Sequence, residues 1–160
     1  MNMPKVMMMC GRLCSGKSTC AEKLQKENRA VILSIDEIML ALFGRDAGEK
    51  HDDYVAKIKG YLYQKSLEII ESGTNVILDW GFWTKADRGF ARKFYGSGGI
   101  PNELYYIDID DCEWNRRIME RNQNILDHKS NAYYVDEGLA AKFNAIFEKP
   151  DPSEIDHWVR

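Results

Sequence analysis

The stretch Gly11-Arg12-Leu13-Cys14-Ser15-Gly16-Lys17-Ser18-Thr19 places two glycines, a lysine and a serine at the spacing G-x-x-x-x-G-K-S. Each position answers a need of phosphate chemistry. Glycines at 11 and 16 let the backbone turn tightly and bring its N–H groups up to phosphate oxygens. A helix starting near Lys17 aims the positive end of its dipole at the same point. Lys17 carries charge for β- and γ-phosphates, and Ser18 an oxygen for Mg²⁺. A glycine turn with no ligand leaves Lys17 without a purpose. The nine residues are therefore read together as a nucleotide-phosphate loop, with Arg12 directed to solvent.

Two carboxylates follow apolar runs of strand length. Asp36 comes just after Ala30–Ser34, where Ser34 already serves as helix cap, so Asp36 is open to act as general base on a hydroxyl. The plainer alternative is an acid favourable to a helix dipole. Asp79 ends Val76-Ile77-Leu78-Asp79 and is placed to hold Mg²⁺ together with Ser18, or to position a substrate. Trp80, Phe82 and Trp83 come directly after it and are read as a wall of an acceptor pocket, with one or two of them available to the core. Arg117 and Arg121, four apart, share one helix face. Glu113 is spaced to pair with Arg117, which gives a solvated ion-paired face; the functional alternative is charge stabilisation on a transferring phosphoryl group. Arg88 and Arg116 are weaker candidates, Arg88 for the substrate.

These residues need elements to hold them. Val6–Cys10 reads as a strand and residues 17–28 as a helix with Ala21 and Leu24 inward. A strand at 30–34 leads to a helix closed by Gly44. Residues 45–53 read as irregular. The longest helical pattern covers 52–72, with Tyr54, Ile58, Tyr61, Leu62 and Ile69 at 3/4 spacing. Further strands fall at 75–79 and 103–108, and a short fifth at the tail, 154–159. Helices fall at 84–95 (Phe90 and Phe94 inward), 111–122 and 136–148, with a polar loop or lid at 123–134. Strands alternating with helices predict an α/β fold with a parallel sheet, whose strand ends gather the chemistry. The loop, Asp36, Asp79 and Asp108–Asp111 should thus lie along one edge.

The 160 residues suit one domain, residues 1–160, with a single core. A net charge of −3 argues against broad binding to nucleic acid, which needs a basic face, though not against gripping one strand end. Cys10, Cys14, Cys20 and Cys112 lack zinc spacing and read as reduced thiols of a cytoplasmic protein. No apolar run reaches membrane-spanning length.

Taken together, the residues resemble the small P-loop kinases that include the 5′-polynucleotide kinase domain, the zeta-toxin-like kinases and chloramphenicol phosphotransferase. The resemblance rests on Gly11–Thr19, on Leu33-Ser34-Ile35-Asp36, on Val76–Asp79 followed by Arg88, and on Arg117-Ile118-Met119-Glu120-Arg121. Phe147-Glu148-Lys149-Pro150 with Glu154 adds to it. It implies a P-loop NTPase three-layer sandwich: a parallel five-stranded sheet of order 2-3-1-4-5 with a small helical lid at about 117–134. It also implies ATP and Mg²⁺ as cofactors, Asp36 as base, and transfer to the hydroxyl of a small-molecule or nucleotide-type acceptor. A nucleic-acid 5′-hydroxyl is the alternative acceptor. Met39 stands where the polynucleotide kinase carries an arginine for a 3′-phosphate, which weakens that alternative. A regulatory module or weak ATPase is the reading from another class; arginines present in the same chain favour the kinase.

Overall fold

The computed structural model describes residues 2–130 and 134–160. Five strands form one parallel sheet in the order β2-β3-β1-β4-β5. They are β1 (Val6–Cys10), β2 (Ala30–Leu33), β3 (Asn75–Gly81), β4 (Asn102–Ile107) and β5 (His157–Val159). The helices between them are α1 (Lys17–Asn28), α2 (Ile35–Phe43), α3 (His51–Glu71), α4 (Lys85–Ser97), α5 (Asp111–Leu126) and α6 (Glu137–Ile146).

β1 is central and its five residues are all 0% exposed, because helices cover both faces of the sheet. Val6, Met8 and Cys10 pack with Val76, Leu78, Leu104 and Tyr106 toward Tyr63 of α3 and Ala91 and Tyr95 of α4. Met7 and Met9 point the other way, with Ile77, Tyr105 and Ile107, onto Ala21 and Leu24 of α1. The period of two along each strand thus sorts one apolar run into two cores. Helix starts are chemically fixed. Ser34 Oγ accepts from Glu37 N–H at 3.2 Å, Thr84 Oγ1 from Asp87 N–H at 3.1 Å, and Asp110 Oδ1 from Glu113 N–H at 2.8 Å.

Register brings the functional ends level: Leu33 lies beside Leu78, and Cys10 beside both Gly81 and Tyr106. Between Met8 and Cys10 the β1–β3 pairing slips by one residue. The extra residue falls in β3 at Asp79–Trp80, beside the phosphate loop, where a bulge re-aims side chains.

Several expectations need correction. β3 runs on to Gly81, so Asp79 and Trp80 lie within the strand. α3 starts at His51, and a 3-10 turn, Gly48–Lys50, occupies part of the expected irregular stretch. α4 continues to Ser97 and buries Arg88, Ala91 and Tyr95, which leaves Phe90 56% exposed. Tyr61 is likewise 62% exposed, because α3 turns Leu62, Tyr63 and Ser66 inward. α5 extends to Leu126, so residues 117–126 of the expected lid are the second half of a long helix. Residues 131–133 of that lid lie outside the described residues. Among the described residues no helix is long and apolar enough to cross a membrane.

Candidate active site

The chain leaves β1 through Gly11 and enters α1 at Lys17. Gly11 N–H donates to Gly81 O at 3.1 Å, which ties the start of the loop to the exit of β3. Cys14 (φ 59) and Gly16 (φ 98) take left-handed backbone on either side of Ser15. Such alternation turns successive N–H groups into a concave anion nest. Gly16 is required by its φ and Gly11 by contact: a Cβ on Gly11 would lie 2.6 Å from Ser15 Oγ and 3.0 Å from Ile107 O. Ser15 is 1% exposed and, among the described residues, its hydroxyl has no hydrogen-bond partner. An orphaned hydroxyl inside a glycine cradle beside a lysine is the chemistry of a phosphate site waiting for acceptor oxygens.

Lys17 Nζ donates to Arg12 O at 2.7 Å. Burial pulls its pKa below the usual lysine range, opposed by the carboxylates of Asp79 and Asp36. Ser18 Oγ donates to Asp79 Oδ2 at 2.9 Å. Burial raises the Asp79 carboxyl, against the Ser18 hydrogen bond and the Lys17 charge that pull it down. One hydroxyl and one carboxylate at the loop mouth are hard oxygen donors. They suit a magnesium ion that takes its remaining ligands from water and phosphate. Asp36 lies exposed in the first turn of α2, and its charge acts on both Lys17 and Asp79.

The arginines lean on the loop. Arg117 Nη1 donates to Ser15 O at 2.8 Å, and its Nε to Glu113 Oε1 at 2.7 Å. Hydrogen bonds from Arg116 and then Arg117 hold the Glu113 carboxyl down at about 2. Arg121 Nη1 donates to Cys14 Sγ at 3.3 Å. Arg117 is thus ion-paired with Glu113, as its spacing predicts, and also reaches the loop backbone.

Other candidates sit elsewhere. Arg12 does not point to solvent: Asp111 Oδ1 at 2.7 Å and Ile109 O at 2.8 Å accept from its guanidinium, which lies 4.5 Å above the Trp114 ring. Arg88 is 2% exposed and fully engaged with Glu154, Phe82 O and Glu148 O, so it clamps the β3–α4 corner and offers nothing to a substrate. Phe82, 1% exposed, is core. Trp83 packs edge-on against Phe143 of α6, and only Trp80 of the aromatic trio faces the α2–α3 side, among Tyr63, Ile35 and Met39. The residue missed in the sequence is Trp114, whose indole N–H donates to Leu13 O at 2.6 Å, whereas Glu113 pairs with Arg117 as its spacing predicts. Trp114 reads as an inner-face residue of a helix, and its spacing carries no sign of the loop it touches.

A parallel sheet of order 2-3-1-4-5, a glycine phosphate loop after the central strand and carboxylates at the neighbouring strand ends define a small P-loop kinase fold. The AAA_33 family (AAA domain) matches residues 6–150, and the chain belongs to it. Among solved structures, a protein assigned as a kinase from Chloroflexus aurantiacus aligns with TM-score 0.72 and 17% identity, covering 99% of this chain and 87% of that one. The Pnkp1/Rnl/Hen1 RNA repair complex aligns with TM-score 0.72 and 19% identity, over 91% of this chain and 44% of that one. The Mycobacterium tuberculosis APS kinase CysC, solved with AMPPNP and APS, aligns with TM-score 0.68 and 17% identity, covering 99% and 89%. No curated protein sequence matches the chain.

Proposed function

We propose that this protein is an ATP-dependent phosphotransferase that moves the γ-phosphate to a hydroxyl of a small-molecule or nucleotide-type acceptor. The observation that carries the reading is the meeting of Lys17, the Ser18–Asp79 pair and Asp36 at one mouth. A phosphate loop alone serves hydrolysis equally well; a carboxylate acting on it from beyond the end of β2 serves an acceptor hydroxyl. The ligands of related folds agree with a nucleotide donor: APS kinase was solved with AMPPNP and APS, and Kti12 of Chaetomium thermophilum with ADP-AlF3.

In this reading the N–H groups of the loop and Lys17 hold the β- and γ-phosphates. Ser18 and Asp79 would hold Mg²⁺, which supplies charge neutralisation between those phosphates. The acceptor hydroxyl gives its proton to the Asp36 carboxylate as its oxygen bonds to the γ-phosphorus. The bond from that phosphorus to the β-phosphate oxygen breaks, and ADP leaves. Arg117 at Ser15 O and Arg121 at Cys14 are the arginines placed to meet charge building up at the loop mouth. A cavity of about 840 Å³ opens beside Arg12, Asp108 and Arg117 and has room for the nucleoside half of the donor. Met39 is 1% exposed within an apolar cluster, so no cation stands at that position to hold a second phosphate on a nucleic-acid end.

Transfer from γ-labelled ATP to a panel of small hydroxyl compounds and to a 5′-hydroxyl oligonucleotide tests the reading. Label in a small compound is expected. Label in the oligonucleotide alone would move the acceptor to nucleic acid. Release of free phosphate only, across the whole panel, would replace the kinase with an ATPase.

A further inference from the structure

An anion nest works only if its peptides are turned the right way before the anion arrives. A trans peptide unit is planar and its C=O and N–H point in opposite directions, so a donor that captures a loop carbonyl also aims the following N–H. α5 supplies two such donors. Trp114 Nε1 holds Leu13 O at 2.6 Å, and Arg117 Nη1 holds Ser15 O at 2.8 Å. The N–H groups of Cys14 and Gly16 are thereby turned away from α5. Among the described residues neither N–H has a partner within the chain. The two donors differ in how firmly they are placed. Arg117 is a partly exposed arginine shared with Glu113. Trp114 is 4% exposed, packed with Ile118, Val135 and Leu13, and covered by the Arg12 guanidinium, itself fixed by Asp111 and Ile109 O.

We propose that Trp114 is a positioning residue of the phosphate loop. Its indole N–H fixes the Leu13–Cys14 peptide so that the Cys14 amide faces the bound phosphates, while Arg12 and Asp111 keep the indole in place. Leu13, Cys14 and Trp114 belong to one apolar cluster, so the loop and α5 form a single rigid unit on this side. Rotation of the Leu13–Cys14 peptide would both strand a carbonyl and remove an amide from the nest. The inference rests on the reading of the loop as a nucleotide-phosphate site.

The test is Trp114→Phe, which deletes the N–H and leaves an aromatic ring beneath Arg12. Affinities for ATP and for inorganic tripolyphosphate are measured by calorimetry, well below the melting temperature of either protein. The expected result is a loss of about tenfold for both ligands, the size of one hydrogen bond whose partner carbonyl is left unpaired. A structural role alone lowers the melting temperature and leaves both affinities unchanged; that result overturns the inference and leaves the kinase reading standing. A loss for ATP alone also overturns it, since tripolyphosphate meets only the loop. Failure of the wild-type protein to bind either ligand overturns both. Should Trp114→Phe not fold, the Trp114 indole N–H resonance of the wild-type protein decides. Slow exchange with water, retained on adding ATP, is expected, and rapid exchange in the ATP complex overturns the proposal.

Discussion

On the donor side of the loop, Asp111, Trp114, Arg117 and Arg121 of α5 reach Arg12, Leu13, Ser15 and Cys14 in turn. On the proposed acceptor side, Asp36 stands exposed near the start of α2, and among the described residues no hydrogen bond or ion pair engages its carboxylate. Each arrangement suits the task proposed for it. Phosphates gain most from dipoles that need no reorganisation when the ligand arrives. A general base has to meet a hydroxyl that comes with its own substrate, so it must be reachable and only loosely committed beforehand. The acceptor side accordingly keeps one partly exposed aromatic, Trp80, beside an otherwise apolar α2–α3 cluster.

The sharpest way to break this contrast is to disable each side separately. Lys17→Ala is expected to abolish transfer and to weaken ATP binding severely, because a charge buried against the phosphates is lost. Asp36→Asn keeps size and hydrogen bonding but cannot take a proton. Transfer should fall roughly 10²- to 10⁴-fold with ATP affinity unchanged. ATP titration and labelled transfer on both variants check this. If Asp36→Asn lost ATP affinity as Lys17→Ala does, the two sides would not be separate; full activity in Asp36→Asn would end its assignment as base.

Between the sides lies the corner after β3, where Gly81 and Phe82 both take positive φ. Such backbone persists only when its surroundings hold it, and Arg88 does so through Phe82 O at 3.0 Å and Glu148 O at 2.9 Å. Arg88→Ala leaves Glu154 without its cation and the corner unsupported. The expected cost is about 3–5 kcal/mol of stability, read as a lower urea midpoint. An arginine used only for substrate would raise an acceptor KM and leave the midpoint alone.

The same residue shows where sequence reading stops. Sheet and loop are written in short-range patterns: an apolar run, a glycine spacing, a capping serine. Their outcome followed closely, with β1 at Val6–Cys10 and α1 at Lys17–Asn28. Arg88 and Arg12 look like free cations because, apart from Phe82 O beside Arg88, their partners lie 60 or more and 97 or more residues away, at Glu148 and Glu154 and at Ile109 and Asp111. A cation's role depends on which distant carboxylate or carbonyl reaches it first, and local spacing does not carry that. Phe90 failed differently. On α4 the inward stripe is Arg88, Ala91 and Tyr95, so one buried arginine rotated the apolar face by about a residue.

The smallest expected effect sharpens the account of that corner. Burial pushes the Glu154 carboxyl up, but hydrogen bonds from Arg88 and from Asp151 N–H outweigh it, and its pKa in the folded protein lies below the ordinary glutamate value. A carboxyl depressed by folding adds stability that is fully present above its unfolded pKa, about 4.3. That stability is lost as the pH falls through the lower native value. Glu154→Gln removes the charge and keeps an oxygen for Arg88. Unfolding free energies of wild type and Glu154→Gln, from urea melts, should differ most above about pH 5, by roughly 1–2 kcal/mol, and should converge as the pH drops below the glutamate range. Asp156 and Glu103, also depressed, titrate in both proteins and cancel in the difference. A gap constant with pH would mean that Glu154 holds the corner by shape, and that the boundary between the two sides owes nothing to its charge.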